Sequence, residues 1–201
     1  MKKVVFILAV LLGVSVTLQA QKPVIEKPRV EAKKLSKEGY KILPEGLYPM
    51  KRQLEFVYNS QMMKDEDDGS TKYIIGIGIA SDASLNQAVV SASGKAVQEI
   101  LGQVLPSMKS IIEKNGGIKE KGSVSVDELL RTVEDKCKQK MSSVPTLAIF
   151  YKKENGKYVV KRYCTYSYND ARTMAIDFFE AELKNESEQL RSALRKPSNW
   201  K

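Results

Sequence analysis

The chain has no histidine, two cysteines and one tryptophan among its 201 residues. Without histidine there is no Ser-His-Asp or Cys-His nucleophile pair, no imidazole acid or base and no His-ligated zinc. Cys137 and Cys164, 27 positions apart, are too few for a four-cysteine zinc site or a cysteine-ligated iron–sulfur cluster. The one long apolar run, Val4 to Val16, is 13 residues, short of the roughly 20 that a membrane-spanning helix needs. No internal repeat and no low-complexity tract is present. What is there is 42% hydrophobic and 28% charged, with 33 Lys+Arg against 24 Asp+Glu and a formal charge of +9, the composition of an ordinary soluble globular protein.

Lys2 and Lys3 precede the apolar run, and Thr17-Leu18-Gln19-Ala20 follows it before the charged chain begins. This order is that of a secretory signal peptide occupying residues 1–20, with cleavage expected near Ala20. No Cys follows the run, so the lipoprotein route that acylates a cysteine at the mature N-terminus is closed. Removing residues 1–20 takes Lys2 and Lys3 away and leaves 181 residues at +7, a length suited to one domain with its own core. Export makes nucleic acid a poor partner for the positive surface. Anionic lipid headgroups, acidic polysaccharide and acidic partner proteins of the envelope remain, beside the plain alternative of a merely soluble surface.

Residues 21–46 carry Pro23, Pro28 and Pro44 and seven Lys/Arg against four Glu. They read as a basic, Pro-containing arm, with a helical piece over Arg29 to Lys37. Residues 47–196 read as a single α+β domain. A helix is expected over Pro49 to Met63, followed by a polar turn at Asp65-Glu66-Asp67-Asp68-Gly69-Ser70. As a calcium loop that turn lacks the Gly and the Glu at the positions an EF-hand requires.

Tyr73 to Ala80 is the clearest strand: alternation puts Ile75, Ile77 and Ile79 on one face and Ile74, Gly76, Gly78 and Ala80 on the other. With so little bulk on the glycine face, another backbone can come close. Gly76-x-Gly78 is not completed as a dinucleotide fingerprint, because Ser81 stands at the third position and Glu99 lies within a helix. That helix, capped by Ser81 or Asp82, has Leu85, Ala88, Val89, Ala92, Ala96, Ile100 and Val104 at a 3.6 period. Pro106 should kink or interrupt it, and Asn115-Gly116-Gly117 should end it. Ser125-x-x-Glu128 is a capping box opening the next helix, with Cys137 on its inward side.

Thr146 to Tyr151 and Lys157 to Tyr168 are strands joined by Asn155-Gly156, a strong hairpin signal. Counting outward from a two-residue loop pairs Glu154 with Lys157, Tyr151 with Val160 and Leu147 with Cys164. Leu147, Ile149, Tyr151, Val160 and Cys164 then share a face with Arg162. From Asn169 to about Lys196 a long helix is expected, its end projecting beyond the sheet. Ile176, Phe179, Leu183 and Leu190 lie near a 3.5 spacing along it, a candidate self-association surface that Glu186 keeps from extending as a coiled coil. The fold class is therefore α+β: a small antiparallel sheet (strand 72–80 plus hairpin 146–168) packed by an alanine-striped helix and a long C-terminal helix.

Tyr73-Ile74-Ile75-Gly76-Ile77-Gly78 and the Ala88, Ala92 and Ala96 ladder, with Glu38-Gly39-Tyr40 and Lys157-Tyr158-Val159-Val160, resemble the LPP-twenty lipoprotein-like family of bacterial envelope proteins. The likeness covers most of residues 30–180. It implies an exported, compact α+β domain without an agreed enzymatic activity. The chain departs from the family in lacking the acylated cysteine.

Chemistry in the sequence is sparse. Cys137 and Cys164, both predicted inward in an oxidising compartment, could form a disulfide stabilising the fold by roughly 3–4 kcal/mol. The other reading is two unpaired buried thiols acting as small hydrophobes. Asp82, Glu99, Asp127, Glu128, Glu134 and Asp135 could supply paired carboxylates for hydrolysis, but nothing selects a pair. Tyr158, Tyr163, Tyr166 and Tyr168 could stack on sugar or peptide, and are equally ordinary strand formers. Asn185-Glu186-Ser187 matches a glycosylation sequon, without meaning in a bacterial cell. The expectation is an exported, periplasmic, non-enzymatic envelope protein without cofactor or metal, with a structural or interaction role. The alternative is a periplasmic module holding a small ligand against its sheet.

Overall fold

The computed structural model describes residues 22–46, 48–67, 69–115, 125–182 and 188–200. The proposed signal peptide, Leu183 and the sequon lie outside them. Four strands, β1 (Lys41–Ile42), β2 (Tyr73–Asp82), β3 (Thr146–Glu154) and β4 (Lys157–Ser167), form one antiparallel sheet in the order β1-β3-β4-β2. The helices are α1 (Lys22–Lys37), α2 (Met50–Met62), α3 (Leu85–Lys114), α4 (Val126–Lys140), α5 (Tyr168–Glu182) and α6 (Glu188–Arg195). The fold is α+β.

The glycine face of β2 decides how the layers stack. A Cβ added at Gly76 would lie 2.1 Å from the Ala96 carbonyl oxygen, and one at Gly78 would lie 1.7 Å from that of Ala92. The helix backbone thus occupies the space a side chain would take. Ala88, Ala92 and Ala96, all fully buried, allow that approach from the helix side. The helix runs through Pro106 without ending there, and it starts at Leu85 with Ser84 as its cap, rather than Ser81 or Asp82. Strand pairing continues to Asp82, whose Oδ1 accepts the Ser84 N–H at 2.9 Å. Further along, α4, α5 and α6 join α3 and the β2–β4 end of the sheet in the largest core, with Ile100, Met108, Val133 and Phe179 at its centre. Ser125 caps α4 as its sequence predicts, its Oγ accepting from the Glu128 N–H.

The opposite face of the sheet is covered by α1 and α2 around Leu54, Ile75, Phe150 and Tyr163. Here the reading of residues 21–46 as a basic arm with a helical piece only over Arg29 to Lys37 is corrected: the helix is Lys22–Lys37 and packs on the sheet. Pro28, Ala32 and Leu35 fall at i, i+4 and i+7 and are buried together, which is the spacing of one helical face. Gly39 at φ +82° ends the helix, and Lys41 and Ile42 then pair with Tyr151 and Phe150. Proline disguised the pattern, because it reads first as a breaker.

The hairpin turns through Asn155 (φ 51°) and Gly156 (φ 77°), with Glu154 opposite Lys157 and Tyr151 opposite Val160 as counted. Leu147 does not meet Cys164. A bulge between Thr146 and Ala148 sets Thr146 opposite Cys164 and Ala148 opposite Tyr163. The extra residue breaks the two-residue alternation, so Leu147 packs with the α1/α2 cluster while Ile149 and Tyr151 pack toward α3. Arg162 turns its guanidinium to Thr146 Oγ1, at 3.0 Å from Nε and 2.6 Å from Nη2.

The projecting C-terminal helix is also corrected. α5 and α6 are separate helices, and Arg195 reaches back to Glu180 and Asp177 at 2.6 and 3.3 Å, so the chain reverses between them. Ile176, Phe179 and Leu190, three residues of the expected association surface, are interior, at 3%, 1% and 1% exposed. Leu194 and Trp200 are buried beside them, and the Trp200 indole N–H donates to the Leu194 carbonyl at 2.6 Å. One straight helix would have left these apolar groups in water. Folding back gives them the same core that receives Ile176 and Phe179.

Candidate binding cleft

Glu31 is the centre of a polar cluster that joins α1, α2 and β4. α1 places it on the face that carries Pro28, Ala32 and Leu35, turned toward the sheet. Its Oε1 accepts from the Tyr163 hydroxyl at 2.5 Å and from Lys161 Nζ at 2.9 Å, both from β4. Its Oε2 accepts from the Tyr58 hydroxyl of α2 at 2.8 Å. Lys161 Nζ also stands 4.9 Å from the centre of the Tyr163 ring. Burial pushes the Glu31 carboxyl up, but donors from Lys161, Tyr163 and Tyr58, with the lysine charge, outweigh it and hold the carboxyl below its ordinary range. Burial and the Glu31 carboxylate push Tyr58 up to about 12 and Tyr163 further in the same direction. Glu31 thus stays ionised and both tyrosines stay protonated donors. These three groups are shifted away from neutrality, an arrangement for holding charge rather than passing a proton.

Two clefts flank the Glu31–Tyr58 bond and share both residues. The larger, about 740 Å³, lies between α1 and the sheet and is lined by Val30, Leu35, Tyr40, Ile79 and Lys161. The smaller, about 440 Å³, lies between α2 and α3 and exposes Gln61, Ile75, Ile77, Glu99 and Gln103. Val30 and Ile79 in the larger cleft are 64% and 49% exposed, two aliphatic side chains facing one opening. A third, more apolar cleft of about 420 Å³ opens at the β1 end of the sheet, lined by Leu43, Tyr48, Phe56 and Leu147. There the Tyr48 and Phe56 rings meet edge to face at 5.6 Å.

The residues singled out by sequence are distributed otherwise. Cys137 and Cys164 are fully buried free thiols in the large core. The disulfide reading is corrected in favour of two small hydrophobes. Burial, aided by Glu134, pushes the Cys137 thiol up to about 11 and burial raises that of Cys164, so neither favours the reactive thiolate. The acidic residues take separate duties. Asp82 binds the Ser84 N–H and Glu99 the Ile77 N–H, while Asp127 pairs with Lys109 at 2.6 Å and Glu134 with Lys138 at 2.7 Å. Asp127 and Glu134 do line one cleft, but with Lys109 and Arg131 between them in charge balance. The Asp65 turn closes on itself through the Asp67 N–H to Asp65 Oδ1, and among the described residues no acidic or thiol cluster is arranged to hold a metal. Nor do the tyrosines make a platform. Tyr163 is 1% exposed, Tyr168 donates to the Trp200 carbonyl and Tyr158 packs near Tyr151. Glu31 escaped the sequence reading because it sat in the supposed arm, although its place beside Ala32 and Leu35 was the available signal.

Comparison with protein-family models, curated proteins and solved structures returns no match to this chain.

Proposed function

We propose that the chain is a non-catalytic, exported interaction protein of the cell envelope that receives its partner in the cleft between α1 and the sheet. The observation that carries this reading is the meeting of exposed Val30 and Ile79 with the Glu31–Lys161–tyrosine cluster in one cleft of about 740 Å³. Covering each aliphatic side chain would contribute on the order of 1.5–3 kcal/mol, and the charged cluster supplies orientation. Export rests on the sequence of residues 1–20. Among the described residues no helix is long and apolar enough to cross a membrane. The likeness to LPP-twenty proteins points toward the same compartment.

Native mass spectrometry of the mature protein, gently purified from its own envelope, tests the reading. A bound partner that is held by the parent chain and lost from an Ile79→Arg variant supports it. A bare monomer, or a partner that the variant retains, overturns it. A second reading, a small-ligand module, is favoured by the apolar cleft of Leu43, Tyr48, Phe56 and Leu147. Its signature in the same experiment is a small apolar molecule retained by Ile79→Arg and lost on Phe56→Ala.

A further inference from the structure

We propose that the partner is an extended polypeptide segment that adds to the open edge of β2, with apolar side chains at alternate positions and a basic residue among them. The proposal rests on the cleft reading above and specifies what the cleft takes. β2 is an edge strand, paired with β4 on one side only. Its outward backbone groups are met by side chains of α3: the Ile77 N–H donates to Glu99 Oε2 at 2.5 Å, and the Ile75 carbonyl accepts from Gln103 Nε2 at 3.1 Å. A carboxylate and a primary amide, one accepting and one donating, stand where a neighbouring strand would present a carbonyl and an N–H. Long side chains from a helix surface can swing aside, whereas backbone hydrogen bonds of an inner strand cannot be exchanged without breaking the sheet.

The surroundings fit a strand. The edge is recessed between the α1/α2 layer and α3, and the two clefts sharing Glu31 and Tyr58 open along it in succession. Ile75 and Ile77 line the α2/α3 cleft and Ile79 the larger one, so β2 offers an apolar side chain at every second residue, the period of an extended chain. Space is available on the α3 side, since a Cβ added at Gly102 would meet nothing within 4 Å. Charge selects the guest. The only charged residues lining the α2/α3 cleft are Glu31 and Glu99, an acidic slot in a chain of net charge +9. Lys161 already pairs with Glu31. When a guest carbonyl takes the Ile77 N–H, Glu99 is released to face a lysine or arginine of the guest. Main-chain bonds then give affinity while the alternate pockets and Glu99 give selectivity.

The test uses a display library of random dodecapeptides against the mature protein. Selected peptides are resynthesised unmodified, singly N-methylated along the backbone, and with the basic residue replaced by Glu. The expected result is enrichment of alternating apolar sequences with a basic residue, and perturbation of the Ile77 and Ile79 amide resonances on binding. At least a tenfold loss is expected with N-methylation at alternate residues, and a smaller loss with the Glu substitution that Glu99→Gln in the protein abolishes. No enrichment, no alternation, or binding indifferent to N-methylation overturns strand addition, as does a dimer of the unliganded chain joined through β2. If the envelope-purified protein nevertheless carries a partner lost in Ile79→Arg, the cleft reading stands and only the strand proposal fails.

Discussion

Individual residues in this protein act through the space they leave or fill. Gly78 and Gly94 are both small residues at or near α3, yet their surroundings differ. A Cβ at Gly78 would lie 1.7 Å from the Ala92 carbonyl oxygen, whereas one at Gly94 would meet nothing within 4 Å. Gly78→Ala is therefore expected to cost about 3 kcal/mol or more, since the helix must be pushed off the sheet. Gly94→Ala should stabilise by about 0.5–1 kcal/mol, because alanine is the better helix former. Urea titration of the two variants checks the contrast in sign. Glu31 makes a second case. Its folded carboxyl is held low by Lys161, Tyr163 and Tyr58 despite burial. A depressed carboxyl contributes stability that is fully present above the unfolded value near 4.5 and is lost as pH falls through the lower folded value. Glu31→Gln should accordingly lower the melting temperature at pH 7 and flatten its decline between about pH 5 and the acid limit. A variant whose acid decline matches the parent's would remove Glu31 from this role. The period-2 alternation of Ile74 to Ala80 made the Gly78 position legible in the sequence. The Glu31 cluster was not, because its three partners Tyr58, Lys161 and Tyr163 are brought to it by α2 and β4 from 27, 130 and 132 residues away.

At the level of elements, amphipathic faces decide where chain segments go. α6 is only eight residues long and holds Leu190 and Leu194 in the large core, so its stability comes from packing rather than from helix propensity. Truncation after Glu182 should then remove these leucines and Trp200 and unfold or loosen the α3–α5 core, instead of trimming a projecting end. Leu194→Ala alone is expected to cost about 2–5 kcal/mol, read from the chemical denaturation midpoint by circular dichroism. Native-like stability of the truncated chain would contradict the folded-back arrangement. Helix α3 and the hairpin were legible because a 3.6 period and Asn155-Gly156 are local signals. The reversal before α6, the bulge at Leu147 and the docking of α1 are settled by which apolar faces find each other, and their sequence patterns also suit a straight helix, a regular strand and a tether.

The whole molecule is a sheet with α1 and α2 on one face and α3 with its companions on the other, and its charge is unevenly placed. Lys27, Arg29, Lys33, Lys34 and Lys37 of α1 are exposed, with Lys27 and Lys34 lining the larger cleft, while the slot beside β2 carries Glu31 and Glu99. We propose that this exposed basic helix contacts an anionic surface while the slot takes the basic segment proposed above. Each exposed lysine or arginine near anionic lipid contributes about 1 kcal/mol. Cosedimentation with phosphatidylglycerol vesicles should therefore be measurable at 50 mM salt and fall at least fivefold by 300 mM, with Lys33→Glu/Lys37→Glu weakening it at low salt. Binding independent of salt would count against the basic helix as the contact. By itself the sequence determined the α+β class, the extended β2 with Gly76 and Gly78 on one face, the alanine stripe that fits it and the hairpin turn, because each is encoded by neighbours within a few residues. Only the tertiary structure decided that the supposed arm is a packed helix, that Ile176, Phe179 and Leu190 are core, that the two thiols are buried and unpaired, and that Glu31 and the edge of β2 meet in one trench. Those outcomes depend on apolar burial and charge pairing between segments that lie apart in the sequence, by as much as 132 residues for Glu31 and Tyr163, and the local patterns do not say which segments meet.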